Sequence, residues 1–454
     1  MRTSPKKKTA FFCTECGAMH LRWQGQCKEC GAWNSLQEEK VVAPSRKSAM
    51  PSISAKAVLI PEISGEQDER IKSGVNEFDR TLGGGAVAGS ALLIGGEPGI
   101  GKSSLLLQAA EGYSRQGINV LYVSGEESAS QIKSRSARFG MKGENIAVAN
   151  TTELEEILNL AATGYQVVII DSVQTTATSS FDSPPGTVGQ VRESAARLIE
   201  ATRRSNSILF LVGHITKEGM VAGPKVLEHM VDAVLYFEGD RQHLFRLLRA
   251  QKNRFGPAGE IGVFEMTARG LAEAANPSRV FMSGDNYQPA PGRVIASAME
   301  GSRSYLVEVE ALVVNSPYGM PQRVASGLDS RRLAIINAVL EKRGGIPLGG
   351  HDVFVNIAGG MRLDDTALDL AFLTAAASSK LNLIVPGDMV IIGEIGLAGD
   401  VRGVSHLDRR LLEAARLGLK RAVVPRSNMG DLNAPDKMEI LPVAQIGQAL
   451  EIIR

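Results

Sequence analysis

The sequence has almost no net charge and no long apolar run. Lysine and arginine total 50 against 49 aspartates and glutamates, so the formal net charge is +1. Because no global field would draw the chain to an acidic partner, any contact with nucleic acid must come from local basic patches. No apolar run approaches the length that spans a bilayer, and the first residues lack the apolar core of a signal peptide. We expect a cytoplasmic protein that does not associate with membranes.

Cysteine is scarce and confined to one short segment. The four cysteines of the chain are Cys13, Cys16, Cys27 and Cys30. Two C-x-x-C pairs can close a tetrahedral thiolate site, so the spacing predicts structural Zn²⁺ with no open position for catalysis. Two disulfides are the alternative, which a reducing compartment disfavours. Gly17 and Gly31 directly follow the two pairs, where a turn with positive φ is often needed.

Tryptophan is equally scarce, and both residues belong to the same segment. Trp23 and Trp33 are expected to form the small core of a zinc knuckle over residues 1–37, or alternatively a stacking surface for a base or a partner. His20 is expected on the surface rather than as a zinc ligand. Residues 38–69 lose periodicity and collect serine, proline and lysine, so they are predicted to be a flexible linker. The knuckle would then be tethered rather than packed into a core.

The rest of the chain is too long for one ordinary core, and we predict two further domains, over residues 70–275 and 276–454. The first contains a G-x-x-x-x-G-K-S motif between an apolar run at 91–94 and a helical pattern at 105–110. The predicted nucleotide-binding residues are Gly96, Glu97, Pro98, Gly99, Ile100, Gly101, Lys102, Ser103 and Ser104.

The chemistry of this loop follows from its residue types. Glycines let backbone N–H groups turn toward a phosphate, and the amino end of the following helix favours the same negative charge. Lys102 is predicted to reach the β- and γ-phosphates of ATP, and the Ser103 hydroxyl to hold Mg²⁺. An ordinary glycine-rich turn is the alternative, which the complete motif with its correct flanks disfavours.

Several apolar runs alternate with helical patterns and predict a largely parallel sheet with helices on both faces. These runs are residues 120–123, 167–170, 208–214 and 231–237. Ligands of such sheets bind at the carboxyl ends of the strands. We predict that Asp171 holds Mg²⁺ there and that Glu126 orients the attacking water, with Glu127 as its rival. His214 is predicted either to sense the γ-phosphate or to be an ordinary histidine at a strand end.

Two further motifs carry a resemblance. The L-G-G-G run at 82–85, followed by the phosphate loop, resembles the RecA-type ATPase core. The sequence Q-K-N-R-F-G at 251–256, with the four cysteines, extends the resemblance over the whole chain to the RadA (Sms) family of bacterial DNA repair proteins. The resemblance implies rings or filaments with ATP at the subunit boundary. Lys252 and Arg254 would then be cations supplied by a neighbour, and a DNA-phosphate contact or a solvated loop is the alternative.

The resemblance also implies contacts with DNA. Loops at 175–186 and 216–225 correspond in position to DNA-binding loops, and Lys217 and Lys225 are the candidate phosphate contacts, with a charged surface loop as the alternative. The implied function is a DNA-stimulated ATPase, a hexameric ring that moves on single-stranded and branched DNA and promotes branch migration in recombination and repair. The alternative is an ATP-gated module that recruits a recombinase or replicative helicase through the knuckle.

The C-terminal half resembles the proteolytic domain of Lon, but it lacks the catalytic pair. Ala367 stands at the position of the serine nucleophile and Asp408 at that of the lysine base, so we predict no peptidase activity. Ser378 and Lys380 would lie at a helix end, outside that geometry. The predicted fold is therefore an α/β RecA-type P-loop core between an N-terminal zinc knuckle and an α+β Lon-protease-like domain.

Basic residues of this half are candidates for a DNA surface. They are Arg331, Arg332, Lys342, Arg343, Arg402, Arg409, Arg410, Arg416, Lys420 and Arg421. Arg409, Arg416 and Lys420 fall at near-helical spacing, which predicts one basic stripe. A solvated helix face is the alternative.

Overall fold

The computed structural model describes residues 7–42, 59, 69–214, 224–239, 245–274, 277–278, 282, 287–316, 320–358 and 363–454. The chain forms two compact units, residues 1–274 and 275–454. Among the described helices, none is long and apolar enough to cross a membrane.

The first unit begins with a three-stranded antiparallel sheet. Its strands are β1 (Lys7–Cys13), β2 (Met19–His20) and β3 (Leu36–Val42). Their order is β2-β1-β3, so the four cysteines lie on a ribbon closed by its first and last strands. We call residues 7–42 the zinc ribbon.

The linker predicted from residue 38 does not begin there, because β3 continues to Val42. Glu38 and Lys40 are exposed while Glu39 between them is buried. Successive side chains of a strand point to opposite faces, so a run of charges typical of a linker here sends one carboxylate inward. Of the remaining predicted linker, residues 43–58 and 60–68 lie outside the described residues.

A large mixed sheet forms the centre of the first unit. Its elements and flanking helices are β4 (Arg70–Ile71), α1 (Asn76–Thr81), β5 (Ala86–Val87), β6 (Ala91–Gly96), α2 (Lys102–Arg115), β7 (Val120–Ser124), α3 (Ala129–Arg138), β8 (Ile146–Ala149), α4 (Leu154–Ala161), β9 (Val167–Asp171), α5 (Val188–Arg204), β10 (Ile208–His214), α6 (Pro224–Glu228), β11 (Ala233–Glu238), β12 (Phe245–Asn253), β13 (Ile261–Thr267) and β14 (Gly270–Glu273). The strand order is β14-β13-β12-β11-β6-β10-β9-β7-β8.

The strands from β11 to β8 in that order are parallel, as predicted, whereas β12, β13 and β14 extend the sheet by antiparallel pairing. Two buried apolar clusters cover the sheet, one containing residues of α2 and the other residues of α4 and α5. Adjacent buried residues of one strand, such as Leu92 and Leu93, enter different clusters. Both faces of the sheet are therefore covered by helices.

The second unit is an α+β fold. Its elements are β15 (Arg293–Glu300), β16 (Arg303–Asn315), β17 (Arg323–Ser326), α7 (Ser330–Gly344), β18 (His351–Ile357), a 3-10 turn (Thr366–Leu368), α8 (Asp369–Leu381), β19 (Met389–Ile391), β20 (Glu394–Ile395), β21 (Val401–Arg402), α9 (Leu407–Arg416), β22 (Arg421–Pro425), a second 3-10 turn (Arg426–Asp431), β23 (Glu439–Val443) and α10 (Ile446–Ile452). The main sheet has the order β17-β18-β16-β15-β19-β22-β23.

Two predictions for the basic surface of this unit are wrong. The side chain of Arg410 is only 1% exposed, because its guanidinium donates to the Asp365 carboxylate and the Ser297 carbonyl, both at 2.7 Å. The predicted stripe also fails, since α9 ends at Arg416 and Gly418 turns the chain with φ of 88° before Lys420.

Candidate nucleotide and zinc sites

The four cysteine sulfurs lie within 4.8 Å of one another. The Sγ atoms of Cys13 and Cys30 are 3.7 Å apart, and those of Cys16 and Cys27 are 3.6 Å apart. A tetrahedron with Zn–S bonds of about 2.3 Å has edges of about 3.8 Å, whereas a disulfide needs about 2 Å. Gly17 and Gly31 have φ of 69° and 76°, so they make the predicted turns. The ribbon therefore fits Zn²⁺ bound by four thiolates.

Three side chains of the ribbon differ from their predicted environment. Trp23 and Trp33 are 59% and 70% exposed, so they do not form its core. The buried residues are instead Cys13, Cys27 and Leu36, because the metal ligands themselves occupy the centre. His20 is not a bare surface residue, since its Nε2 lies 3.4 Å from Cys27 Sγ. Such contacts orient a metal ligand from outside its coordination shell.

The zinc ribbon is packed against the ATPase part of the first unit rather than tethered. Ala10 and Phe12 of β1 join Val188 and Val226 in one buried cluster, and the rings of Phe12 and Phe181 lie 5.8 Å apart. The sequence did not reveal this contact, because the apolar residues of β1 are few and their partners are distant in the chain.

The phosphate loop joins β6 to α2. Gly99 and Gly101 have φ of 78° and 121°, which favour glycine, and a Cβ on Gly96 would lie 2.7 Å from the Phe237 carbonyl oxygen. The backbone is thus shaped as a cradle that side chains would fill. Ser103 lies in the first turn of α2, where its hydroxyl follows the loop directly.

Lys102 is buried and folds back onto the loop. Its Nζ donates to the carbonyl oxygens of Gly96 at 2.7 Å and Glu97 at 3.0 Å. Burial lowers the pKa of Lys102 to about 8, although the charges of Asp171 and Glu126 act in the opposite direction. A triphosphate in the cradle would replace these carbonyl contacts with charged ones.

Polar contacts connect Lys102 to the end of the neighbouring strands. His214 Nδ1 lies 3.2 Å from Lys102 Nζ, and His214 Nε2 lies 2.9 Å from Glu126 Oε1. The Ser172 hydroxyl donates to the same Glu126 oxygen at 2.8 Å. Glu127 points to a different partner and forms an ion pair with Arg135. Of the two predicted rivals, Glu126 is therefore the one that lies beside the phosphate loop.

Asp171 ends β9 beside β7, and its carboxylate is buried. The Tyr122 hydroxyl donates to Asp171 Oδ2 at 2.6 Å. Sequence reasoning missed Tyr122, and the only signal was a hydroxyl inside an otherwise apolar strand. This contact fixes the orientation of the acid that is predicted to hold Mg²⁺.

Lys252 and Arg254 lie at the opposite edge of the sheet from the phosphate loop of their own chain. Lys252 Nζ donates to the carbonyls of Glu228 and Val231, both at 2.8 Å, and Arg254 pairs with Asp232 at 3.3 Å. The Asp232 carboxylate in turn accepts from the N–H of Ala91, the first residue of β6. The phosphate loop follows the last residue of β6, about 16 Å away at the usual rise per strand residue.

The two lysines predicted to contact DNA are separated by their surroundings. Lys225 is exposed but pairs at 2.7 Å with Glu15 of the zinc ribbon. Lys217 lies outside the described residues.

A largely parallel sheet with this loop, an acid at the end of β9 and a glutamate after β7 defines a RecA-type P-loop ATPase. The KaiC ATPase family matches residues 71–159. The rubredoxin metal binding domain matches residues 11–38, and the Lon protease (S16) C-terminal proteolytic domain matches residues 350–453. The ATPase part binds ATP with Mg²⁺, and the ribbon binds Zn²⁺.

Full-length relatives identify the family. The chain is 45% identical to the DNA repair protein RadA of Halalkalibacterium halodurans, covering 98% of this chain and 99% of that one. It is 43% identical to RadA of Escherichia coli, covering 100% and 99%. The chain belongs to the RadA family of DNA repair proteins.

Two solved structures are similar to part of the chain. A KaiC-like protein from Pyrococcus horikoshii is 22% identical, with a TM-score of 0.39, and the match covers 45% of this chain and 99% of that one. A second solved structure, which is also an ATPase domain, is 14% identical, with a TM-score of 0.41, and the match covers 46% and 93%.

Proposed function

We propose that this protein is a DNA-stimulated ATPase that acts as a ring-shaped motor on single-stranded DNA and promotes branch migration of recombination intermediates during repair. The observation that carries the hydrolytic part is the line of contacts from Lys102 through His214 to Glu126. It brings a cation for the phosphates and a carboxylate for the attacking water to the same strand ends. The DNA substrate is inferred from relatives whose name describes DNA repair.

Each protein group has a distinct role in the proposed reaction. The loop amides and Lys102 bind the phosphates, Glu126 orients water, and Ser103 with Asp171 would hold Mg²⁺. The bound ion supplies positive charge to the phosphate oxygens. His214, between the cation and the carboxylate, is placed to respond when a γ-phosphate draws Lys102 away.

Assembly into a ring, proposed as a hexamer, would complete the site. Lys252 and Arg254 lie about 16 Å from their own phosphate loop, given the length of β6, so they cannot contact the nucleotide of their own chain. They could serve a neighbour, in which each subunit offers one edge of its sheet and receives the other. Cations delivered to a transferring phosphoryl group increase its rate by orders of magnitude.

A mixing experiment tests both hydrolysis and its assembly. Lys102→Ala and Lys252→Ala should each abolish DNA-stimulated hydrolysis in the pure state. Mixed subunits should regain activity, because some boundaries then pair an intact Lys102 with an intact Lys252. Absence of recovery would contradict a contribution from the neighbour, and normal turnover in pure Lys102→Ala would contradict the assignment of the site.

DNA stimulation is tested by the hydrolysis rate with and without single-stranded DNA at two salt concentrations. Stimulation should weaken with salt, because contacts with phosphates release counterions. Branch migration is then measured on a three-strand intermediate. Movement must require ATP and must fail with Lys102→Ala.

A second candidate function is an ATP-gated module that recruits a recombinase or replicative helicase without motor activity. The exposed Trp23 and Trp33 on the zinc ribbon favour it, since large exposed aromatic residues are enriched at binding surfaces. Slow hydrolysis that is indifferent to DNA would support this function against the motor.

We also propose that the Lon-like unit has no peptidase activity. Ala367 is buried in an apolar cluster, and the Asp408 carboxylate accepts from the N–H of Asn433 at 3.2 Å. Neither residue can act as the serine or the lysine of a Lon-type site. Cleavage of an unfolded protein in the presence of ATP would contradict this proposal.

A further inference from the structure

Glu39 carries a carboxylate from the zinc ribbon into the amino end of α5. It is 4% exposed, and its oxygens accept from the N–H of Gly189 at 2.8 Å and the hydroxyls of Ser183 at 3.0 Å and Thr187 at 3.1 Å. A buried carboxylate without such donors would be costly, and the first N–H groups of a helix are unpaired within it. Three donors from one helix start therefore account for the burial of a charge 150 residues away in sequence.

Contacts around Glu39 extend this docking. Arg192 donates to the Gly17 carbonyl at 2.9 Å, directly after the first cysteine pair. The N–H of Asp182 donates to the Lys40 carbonyl at 3.1 Å. A Cβ on Gly189 would lie 2.4 Å from a Glu39 carboxylate oxygen and 2.8 Å from the Phe181 ring. The close approach of β3 to α5 therefore depends on a glycine at this helix start.

One loop joins this docking contact to the candidate nucleotide site. Residues 172–187 run from the end of β9 to the start of α5. At the first end, Ser172 donates to Glu126, and the Gln174 amide exchanges hydrogen bonds with the backbone N–H and carbonyl of His214 at 3.2 and 3.1 Å. At the other end, Ser183 and Thr187 donate to Glu39. The loop is thus held at both ends.

We propose that the zinc ribbon is a positioning element of the ATPase site: docked through Glu39, it holds the 172–187 loop and so keeps Ser172 and Gln174 against Glu126 and His214. Glu39 is a positioning residue, since it touches neither nucleotide nor water. The inference rests on the proposed ATPase function for its kinetic effect, whereas the docking itself can be measured without nucleotide.

Hydrogen exchange of the full chain tests the docking. Glu39→Ala should accelerate exchange at 172–189 and in β1 by about tenfold or more, since the loop loses its anchor. Glu38→Ala is the matched control, because its side chain is exposed on the same strand. Unchanged exchange in Glu39→Ala would overturn the proposal. Lys102→Ala should keep the wild-type exchange pattern, which separates failure of docking from failure of the ATPase assignment.

Kinetics test the effect on the site. Loss of docking should lower kcat about fivefold while KM for ATP stays within about twofold, because the phosphate loop is untouched. Glu39→Gln, which keeps an acceptor oxygen, should recover part of kcat. Gly189→Ala displaces the ribbon without changing it and should reproduce Glu39→Ala, which covers the case in which that variant folds poorly. Wild-type kcat with the ribbon undocked would overturn the proposal.

Zinc removal provides a test independent of substitution. The first cysteine pair shapes the turn that presents Gly17 to Arg192, so chelation of zinc should accelerate exchange at 172–189 as Glu39→Ala does. Chelation that unfolds the ribbon but leaves exchange in the loop unchanged would contradict the coupling.

Discussion

Tyr122 and Asp171 form a buried hydrogen bond of 2.6 Å between neighbouring parallel strands. Burial and the adjacent carboxylate hold the pKa of Tyr122 well above its ordinary value, so the phenol remains a donor over the working pH range. One oxygen of the predicted Mg²⁺ acid is therefore already engaged, and the carboxylate has one preferred orientation.

Tyr122→Phe should lower ATP turnover about tenfold and raise the Mg²⁺ concentration needed for half-maximal activity, because a buried carboxylate loses a donor. Tyr113→Phe is the control: Tyr113 is also fully buried, but its hydroxyl has no partner among the described residues. Magnesium titrations of the hydrolysis rate compare the two. An equal effect of both variants would show that Tyr122 contributes only to packing.

Glu126→Gln should reduce kcat by about a hundredfold or more with little change in ATP affinity, because a neutral amide no longer activates water. Glu127→Gln should affect hydrolysis less than about threefold, since its carboxylate pairs with Arg135 instead. Single-turnover hydrolysis with separate nucleotide-binding measurements distinguishes these outcomes. The opposite order of effects would reverse the assignment.

ATP binding should take up a proton above about pH 8. Burial lowers the pKa of Lys102 from 10.5 to about 8 in the free chain, and bound phosphates would raise it again. Below pH 8 the lysine is already charged and affinity should not vary on this account. Between pH 8 and 10.5 the lysine must be protonated first, so affinity should fall by up to about tenfold per pH unit.

Calorimetry in two buffers of different ionisation enthalpy measures this proton uptake. Lys102→Gln has no titrating ammonium and should lose the uptake together with much of the affinity. Equal binding enthalpies in both buffers above pH 8 would contradict the assignment of the proton to Lys102.

Arg410→Met should destabilise the second unit by about 3–5 kcal/mol, because it leaves the Asp365 carboxylate without its buried cation. Arg409→Met should cost less than about 1 kcal/mol, since that neighbouring side chain is exposed. Hydrogen exchange of the β15 and β16 amides reports the free energy of opening for this unit alone. Equal effects would mean that the Arg410 ion pair contributes no specific stability.

The sequence predicted the features whose geometry is encoded by short spacing. The phosphate loop lies between its predicted strand and helix, and the cysteine sulfurs form one tetrahedral cluster. In both cases a few adjacent residues contain all the groups required, so local backbone preferences suffice. The parallel sheet followed for a similar reason, since each buried strand is a nearly continuous apolar run.

Contacts between distant segments could not be predicted in this way. Tyr122 meets Asp171 only because β7 and β9 are neighbours in the sheet, and strand order is not written in either segment. Glu39 was assigned to a linker because charges surround it, yet the twofold period of a strand directs it inward. Arg410 was assigned to a surface by its charge, but the buried Asp365 that pairs with it lies 45 residues earlier.

The position of the two tryptophans has an optical consequence. Trp23 and Trp33 are the only indoles of the chain, and both are solvent-exposed on the zinc ribbon. Indole emission therefore reports on residues 7–42 and contains no signal from the nucleotide-binding sheet or the Lon-like unit. A fluorescence melting curve of this protein would follow the metal-bound ribbon, while unfolding of the other parts would pass without a change in colour.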